Sequence, residues 1–223
     1  MWSIIETVVA EDTATRAFKT LTIPLRVREV SLQFVPAQGG GTEIKMLKAI
    51  GHFRTITRHR HLVIKHAFKV GIGFRGLFHD LSKYSPAEFI VGAKYYFGTK
   101  SPNEGERADY GYSKAWLHHK GRNKHHFEYW TDYDPVTKLM RPVKMPLKYV
   151  VEMFCDRVAA SKIYQGEKYT DASALKYFEN GLKIRKIHPE TTELLHRLLS
   201  MLAEKGEKET FAYVRKLVKK GDY

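Results

Sequence analysis

The adjacent pair His79-Asp80, set within Gly76-Leu77-Phe78-His79-Asp80-Leu81-Ser82-Lys83, is the strongest chemical signal in the chain. On a helix, neighbouring His and Asp project about 100° apart. They can hold one ion, or bridge two, only if further ligands converge from other elements. The sequence offers such ligands on both sides. His52, His59 and His66 recur every seven residues, close enough to two helical turns to lie along one stripe, whereas His61 points elsewhere. Downstream, Trp116-Leu117-His118-His119-Lys120-Gly121-Arg122-Asn123-Lys124-His125-His126 places two histidine pairs around a basic turn. Asp156 then falls between Phe154 and Val158 in the most apolar segment of the chain, where an unpaired carboxylate is costly. Nine of the eleven histidines lie between His52 and His126, a segregation that needs a reason.

Imidazoles with two carboxylates suit a divalent transition metal, Mn, Fe, Co, Ni or Zn, as one or two ions, better than Mg, which prefers oxygen. Such an ion lowers the pKa of a bound water toward ~7 and polarises a phosphoryl oxygen. Asp80 and Lys83, one turn apart, form the expected catalytic pair. Lys83, Lys120, Arg122 and Lys124 supply cations to hold a substrate phosphate. Plainer readings stand beside these. The basic cluster around His118–His126 also suits an exposed loop that grips nucleic-acid phosphates, and His188 and His196 read as hydrogen-bonded core residues. The terminal run Lys205, Lys208, Arg215, Lys216, Lys219 and Lys220 reads as a solvated helix face.

The elements that must position these groups are mostly helical. Residues 46–70 carry apolar side chains at three- and four-residue steps, as one or two amphipathic helices. Gly71 and Gly73 end that pattern, and a short helix through Leu77–Leu81 follows. Ser85-Pro86-Ala87-Glu88 reads as a helix start with Ser at the cap, Pro at the first position and Glu at the third. Ser101–Gly105 reads as a loop or a short capped turn, residues 112–120 as helix, and a further helix starts near Lys124. Pro142 and Pro146 frame a loop before a helix over Leu147–Tyr164, closed by Gly166. Helices at about 171–180, 189–204 and 207–220 complete an all-α bundle.

Residues 1–45 differ. Leu21, Ile23, Leu25 and Val27 alternate as in a strand, but Pro24 limits it to an edge, and Gln38–Thr42 reads as a flexible linker. The expected organisation is a short appendage over 1–45, β-like or disordered, or untranslated if synthesis starts at Met46, and a helical domain over 46–223. The net charge of +14 favours an anionic partner, a small phosphate compound or nucleic acid. The single cysteine, Cys155, excludes an intramolecular disulfide and suits a reducing compartment. No basic leader precedes an apolar stretch at the start, and no apolar run reaches the ~20 residues of a bilayer span. A cytoplasmic protein without a membrane partner is expected.

The order His, then Phe78-His79-Asp80-Leu81-Ser82-Lys83, then one or two His, then Met153-Phe154-Cys155-Asp156-Arg157-Val158 resembles the HD-domain superfamily of metal-dependent phosphohydrolases. More closely, GHFRTITRHRHLV, GLFHDLSKYSP, KYYFGTKSPNE, AWLHHKGRNKHHFEYW and EMFCDRVAASKIYQG resemble a family of small bacterial proteins of unknown function. Some members of that family carry the label catalase, which these residues do not support. The superfamily resemblance implies an HD-like helical bundle with metal ligands His59, His79, Asp80, His118, His125 and Asp156. His52 and His66 are rivals of His59, and His119 and His126 of their neighbours. It implies hydrolysis of a phosphoester such as a nucleotide. The alternatives are a non-haem di-iron enzyme that activates oxygen on the same scaffold, or a basic nucleic-acid-binding protein with a structural metal.

Overall fold

The computed structural model of the protein describes residues 5–11, 18–24, 31–35 and 41–223. The chain divides into two compact units, residues 1–47 and 48–223. In the first, β1 (Ile5–Glu11), β2 (Phe18–Pro24) and β3 (Ser31–Val35) form an antiparallel sheet in the order β1-β2-β3. The alternating segment is thus the middle strand, not an edge. Pro24 is tolerated because it is the last residue of β2 and faces only Ile5 of β1, since β3 stops pairing at Thr22. A proline with a neighbour on one side breaks no second ladder. Residues 25–30 and 36–40, which hold the end of the expected strand and most of the expected linker, lie outside the described residues. Gly41 and Thr42 already belong to α1 (Gly41–Val70).

The second unit is helical, as its apolar spacing requires. After α1 come α2 (Gly73–Gly76), α3 (Pro86–Lys94), α4 (Pro102–Tyr110), α5 (Lys114–Arg122), α6 (Leu147–Gln165), α7 (Ser173–Leu182) and α8 (Pro189–Lys220). A small hairpin, β4 (Thr131–Tyr133) and β5 (Met140–Pro142), interrupts the series between α5 and α6. Helix α6 is the axis of the core. Val150, Val151, Phe154, Cys155, Val158 and Ala159 are all fully buried there, packed with Val63 and Val70 of α1, Phe178 of α7 and Leu194, Leu198 and Leu202 of α8. Each such aliphatic or aromatic burial contributes about 1.5–3 kcal/mol. Helix α8 kinks at Gly206, whose φ of 73° and ψ of 176° are not helical, so the two helices read on either side of that glycine are present. All six residues of the terminal basic run are exposed.

Three expectations fail locally. No helix runs through Leu77–Leu81: α2 ends at Gly76, a hydrogen-bonded turn follows, and a short 3-10 turn covers Leu81–Tyr84. No helix starts at Lys124, because Trp130 Nε1 donates to the Lys124 carbonyl at 2.7 Å and takes the acceptor that a helix would use. Ser101–Gly105 is instead the start of α4, which tertiary contacts secure. The Tyr95 hydroxyl donates to Asp109 at 2.6 Å, and Glu106 accepts from Ser113 Oγ at 2.6 Å and from the Ala115 amide at 3.2 Å. Also, His196 is paired with Glu179 at 3.0 Å and its side chain is 45% exposed, so it is not a core residue. Among the described residues, no helix is long and apolar enough to cross a membrane.

The stripe of His52, His59 and His66 is buried along its whole length, but its outer members have structural surroundings. His52 packs on Phe89 and Tyr96 and over Gly92, where an added Cβ would stand 2.2 Å from its Nε2. His66 lies against Phe211, with Nδ1 3.4 Å from the Cys155 carbonyl. Burial, reinforced by Lys83 for His52 and by Lys162 for His66, pushes their pKa values down to about 4 and about 3. The folded state keeps both neutral, while the unfolded chain takes up protons near pH 6.5. Their stabilising effect is therefore complete above about pH 6.5 and is lost as pH falls toward the folded values, by up to ~1.4 kcal/mol per unit for each histidine. Thermal melts of chelator-treated protein should show Tm falling steadily from about pH 7 to about pH 5, with a shallower slope for His66→Gln. A flat profile would contradict the assignment.

Candidate metal centre

The turn that carries His79-Asp80 is built by three features. Gly76 lets α2 approach α1 so closely that an added Cβ would lie 2.5 Å from the Ala67 methyl. Arg60 of α1 donates through Nε to the His79 carbonyl at 3.2 Å and through Nη2 to the Leu77 carbonyl. Asp80 itself adopts φ 53° and ψ 26°, a left-handed conformation that Asp tolerates better than most residues. The backbone bend, rather than a helical 100° step, sets the two side chains on the interior, where each is 1% exposed.

Two groups of side chains converge on Asp80. The first is His59, His79, Asp80 and Asp156; the second is Asp80, His119, His125 and His126. In the first, His59 Nε2 is 3.0 Å from Asp156 Oδ1 and 3.9 Å from Asp80 Oδ2, and His79 Nε2 is 3.3 Å from Asp80 Oδ2 and 3.6 Å from Asp156 Oδ1. In the second, Asp80 Oδ1 is 3.3 Å from His119 Nε2 and 3.5 Å from His125 Nε2, and His119 Nε2 is 2.9 Å from His126 Nε2. The two oxygens of Asp80 thus face different groups. Despite these short separations, His59 Nε2, His79 Nε2, His125 Nε2 and Asp80 Oδ1 are buried without a hydrogen-bond partner, and Asp80 Oδ2 has the Lys83 ammonium at 2.6 Å. Four such orphaned atoms at one point are rare in a folded interior. They are what ligands to an ion look like, and the groups could hold one.

Electrostatics agree. Burial opposes ionisation of Asp80 and Asp156, but His79 and Lys83 around Asp80, and His59 and His79 around Asp156, outweigh it and hold both carboxyls well below the usual carboxylate range. Burial pushes His59 down, and burial with His125 and His119 pushes His126 far down, so both favour the neutral form that ligates metal. Burial also opposes the charge on His79, but Asp80, Asp156 and Glu152 raise its pKa well above normal. Lys83 Nζ lies 2.6 Å from Asp80 Oδ2. Burial disfavours its charge too, yet Asp80 and Asp156 raise its pKa.

Two glutamates stand behind the histidines. Glu152, one turn before Asp156 on α6, has Oε1 3.1 Å from His79 Nδ1 and 3.3 Å from His125 Nδ1, and Oε2 3.2 Å from Arg75 Nη1. Glu88 of α3 has Oε1 2.6 Å from His118 Nδ1 and Oε2 2.7 Å from His119 Nδ1. Metal binding requires deprotonated imidazoles, and the four carboxylates Asp80, Asp156, Glu88 and Glu152 then face the two cations Lys83 and Arg75, a negative excess that divalent cations would offset.

Residues 48–201 match the profile of a family of unknown function, DUF5662. This chain belongs to that family. Neither the curated proteins nor the solved structures provide a match. Every residue of the two groups lies within the span that defines this DUF5662 chain, as do Glu88, Glu152 and Lys83, whereas the strands β1–β3 lie outside it.

Of the expected ligands, His59, His79, Asp80, His125 and Asp156 come together, and His118 does not. Its neighbour His119 takes that place, because α5 turns His119 inward at 3% exposure while His118 remains 24% exposed. His126 joins as well. The basic residues separate: Lys83 reaches the centre, Lys120 lines a cavity with Phe127, Glu128 and Arg185, Arg122 Nη1 contacts the His118 carbonyl at 3.4 Å, and Lys124 lies over the Tyr129 ring. Glu152 was detectable in principle, as a second acid four residues from Asp156 in an apolar helix. Glu88 was hidden by the capping pattern, since Ser85 makes no side-chain cap and the Glu88 carboxylate turns to histidine instead.

Asp80→Ala should abolish metal binding, measured by elemental analysis of untagged protein, with helix content by circular dichroism unchanged. Full metal occupancy in that variant would exclude Asp80 as the shared ligand.

Proposed function

We propose that this DUF5662 protein is a metal-dependent hydrolase of a phosphoester, with an HD-type two-ion centre. The observation that carries the reading is the division of Asp80, whose two oxygens each face a separate histidine group. The order of His59, His79-Asp80, His119, His125-His126 and Asp156 along the chain supports the likeness to the HD-domain superfamily. A divalent ion bound there supplies Lewis acidity and water activation at neutral pH.

The side chains do the rest. Asp80 would be shared by two ions, one held by His59, His79 and Asp156 and one by His119, His125 and His126, an arrangement that would suit displacement at phosphorus. Asp156 and Lys83 form the accessible side of the centre, with 16% and 31% of their side chains exposed against 2% for Asp80. A substrate that arrives there meets a lysine ammonium, which favours an anionic group. His59, His79, His119 and His125 are buried, and His126 is half-buried. Lys83 thus both steadies Asp80 Oδ2 and offers its other N–H groups to a phosphoryl oxygen.

Protein purified without a histidine tag should contain a transition metal and turn over a generic aryl phosphate in a chelator-sensitive, metal-restored manner. An oxygen-dependent iron chromophore without phosphatase activity, or salt-sensitive nucleic-acid binding without turnover, would replace this reading. Lys83→Ala should retain both ions and lose about 10- to 1000-fold in kcat/KM, the expected effect of one missing charge-assisted contact. Loss of metal in that variant would show that Lys83 acts only by holding Asp80.

A further inference from the structure

His119 Nδ1 is contested. The carboxylate of Glu88 approaches it at 2.7 Å through Oε2, the side-chain amide nitrogen of Asn123 at 3.1 Å, and the hydroxyl of Ser82 at 3.3 Å. Glu88 can only accept a hydrogen bond, whereas the Asn123 nitrogen can only donate one. The two neighbours therefore demand opposite tautomers. If Nδ1 carries the hydrogen and gives it to Glu88, Nε2 keeps its lone pair, beside Asp80 Oδ1 at 3.3 Å and His126 Nε2 at 2.9 Å. If Nδ1 accepts from Asn123, Nε2 carries the hydrogen and cannot ligate. Asn123 has other acceptors within reach, Ser82 Oγ and the His119 carbonyl, both at 2.8 Å, so it yields to the charged and closer Glu88.

We propose that Glu88 is a positioning residue for the ion held by His119, His125 and His126, and that it has no part in holding the ion at His59, His79 and Asp156. This rests on the two-ion reading above. The two outer glutamates differ in reach. Glu152 contacts one histidine of each group, His79 and His125. Glu88 contacts His119 of the second group, and its other oxygen is taken by His118, which belongs to neither. Removing the charge at position 88 leaves Asn123 as the stronger partner of His119 Nδ1 and turns the tautomer against ligation. Glu88 is thus a selector between a one-ion and a two-ion centre.

The test counts ions. Chelator-stripped wild type, Glu88→Gln, Glu88→Leu and Glu106→Gln are each titrated with Co2+ alone, and bound metal is measured by elemental analysis together with calorimetric isotherms. Glu106 is the control for packing, because it secures the start of the same helix α5 through Ser113 and Ala115 without touching a ligand group. The expected result is two equivalents in wild type and in Glu106→Gln. Both Glu88 variants should retain one equivalent at unchanged affinity, with the second weakened by about 10- to 100-fold or more, the usual effect of losing an outer hydrogen-bond partner. Two ions of unaltered affinity in a folded Glu88→Gln or Glu88→Leu would overturn the inference and leave the two-ion reading intact. Equal weakening of both ions, or the same loss in Glu106→Gln, would also overturn it. Absence of metal from wild type would overturn both.

Discussion

A carboxylate that is 1% exposed, in a helical interior, governs the rest of this molecule. An isolated charge in such surroundings is prohibitive, and it persists only where partners surround it. Asp80 has them on every side: His59 and His79 near one oxygen, His119 and His125 near the other, and Lys83 from the same turn. The backbone concedes as well, since Asp80 sits in the left-handed region and Arg60 must clasp the neighbouring carbonyls to hold the bend. Partners in such an arrangement are interdependent, because removing one leaves the others buried and unmatched.

Helix α6 shows how an apolar scaffold and a polar centre share one element. Eleven of its residues are buried, and most of its circumference is core. Glu152 and Asp156, one turn apart, mark the strip that faces the histidines. Asp156 addresses Nε2 of His59, His79 and His125, and Glu152 addresses Nδ1 of the latter two. One carboxylate is thus at the inner edge and the other at the outer edge of the same rings. A helix locked by fully buried Phe154 and Val158 cannot rotate one acid without displacing the other, so packing fixes the polar geometry.

The architecture was largely legible because spacing and breakers act locally. Gly166, Gly206, Pro146 and Pro189 punctuate the helices where the sequence places them, and the apolar steps of α6 and α8 mark the core. Legibility ended where a distant partner decides. His118 and His119 are chemically alike and adjacent, and only the orientation of α5 against α3 selects one. The 3-10 turn after Asp80 replaced a helix because α1, through Arg60, claims the carbonyls. Ser85-Pro86-Ala87-Glu88 starts a helix as its pattern says, yet Glu88 serves histidines thirty residues away in sequence rather than the helix end. Local grammar assigned it a local task, and the tertiary structure assigned another.

The hairpin of β4 and β5 carries a consequence for how chains with this centre can vary. Between His126 and Glu152 the chain leaves the centre and returns to it, anchored where the Val143 amide donates to the Trp130 carbonyl at 2.8 Å and where the Met145 amide donates to Thr191 Oγ1 at 3.0 Å. Between Trp130 and Val143, β4 is exposed throughout and β5 nearly so. Exposed hairpin tips absorb insertions and deletions that buried turns do not. From Gly76 to Lys83, by contrast, one added residue would rotate His79 and Asp80 off their shared point. Length is therefore free at Thr131–Pro142 and fixed at the His79-Asp80 bend.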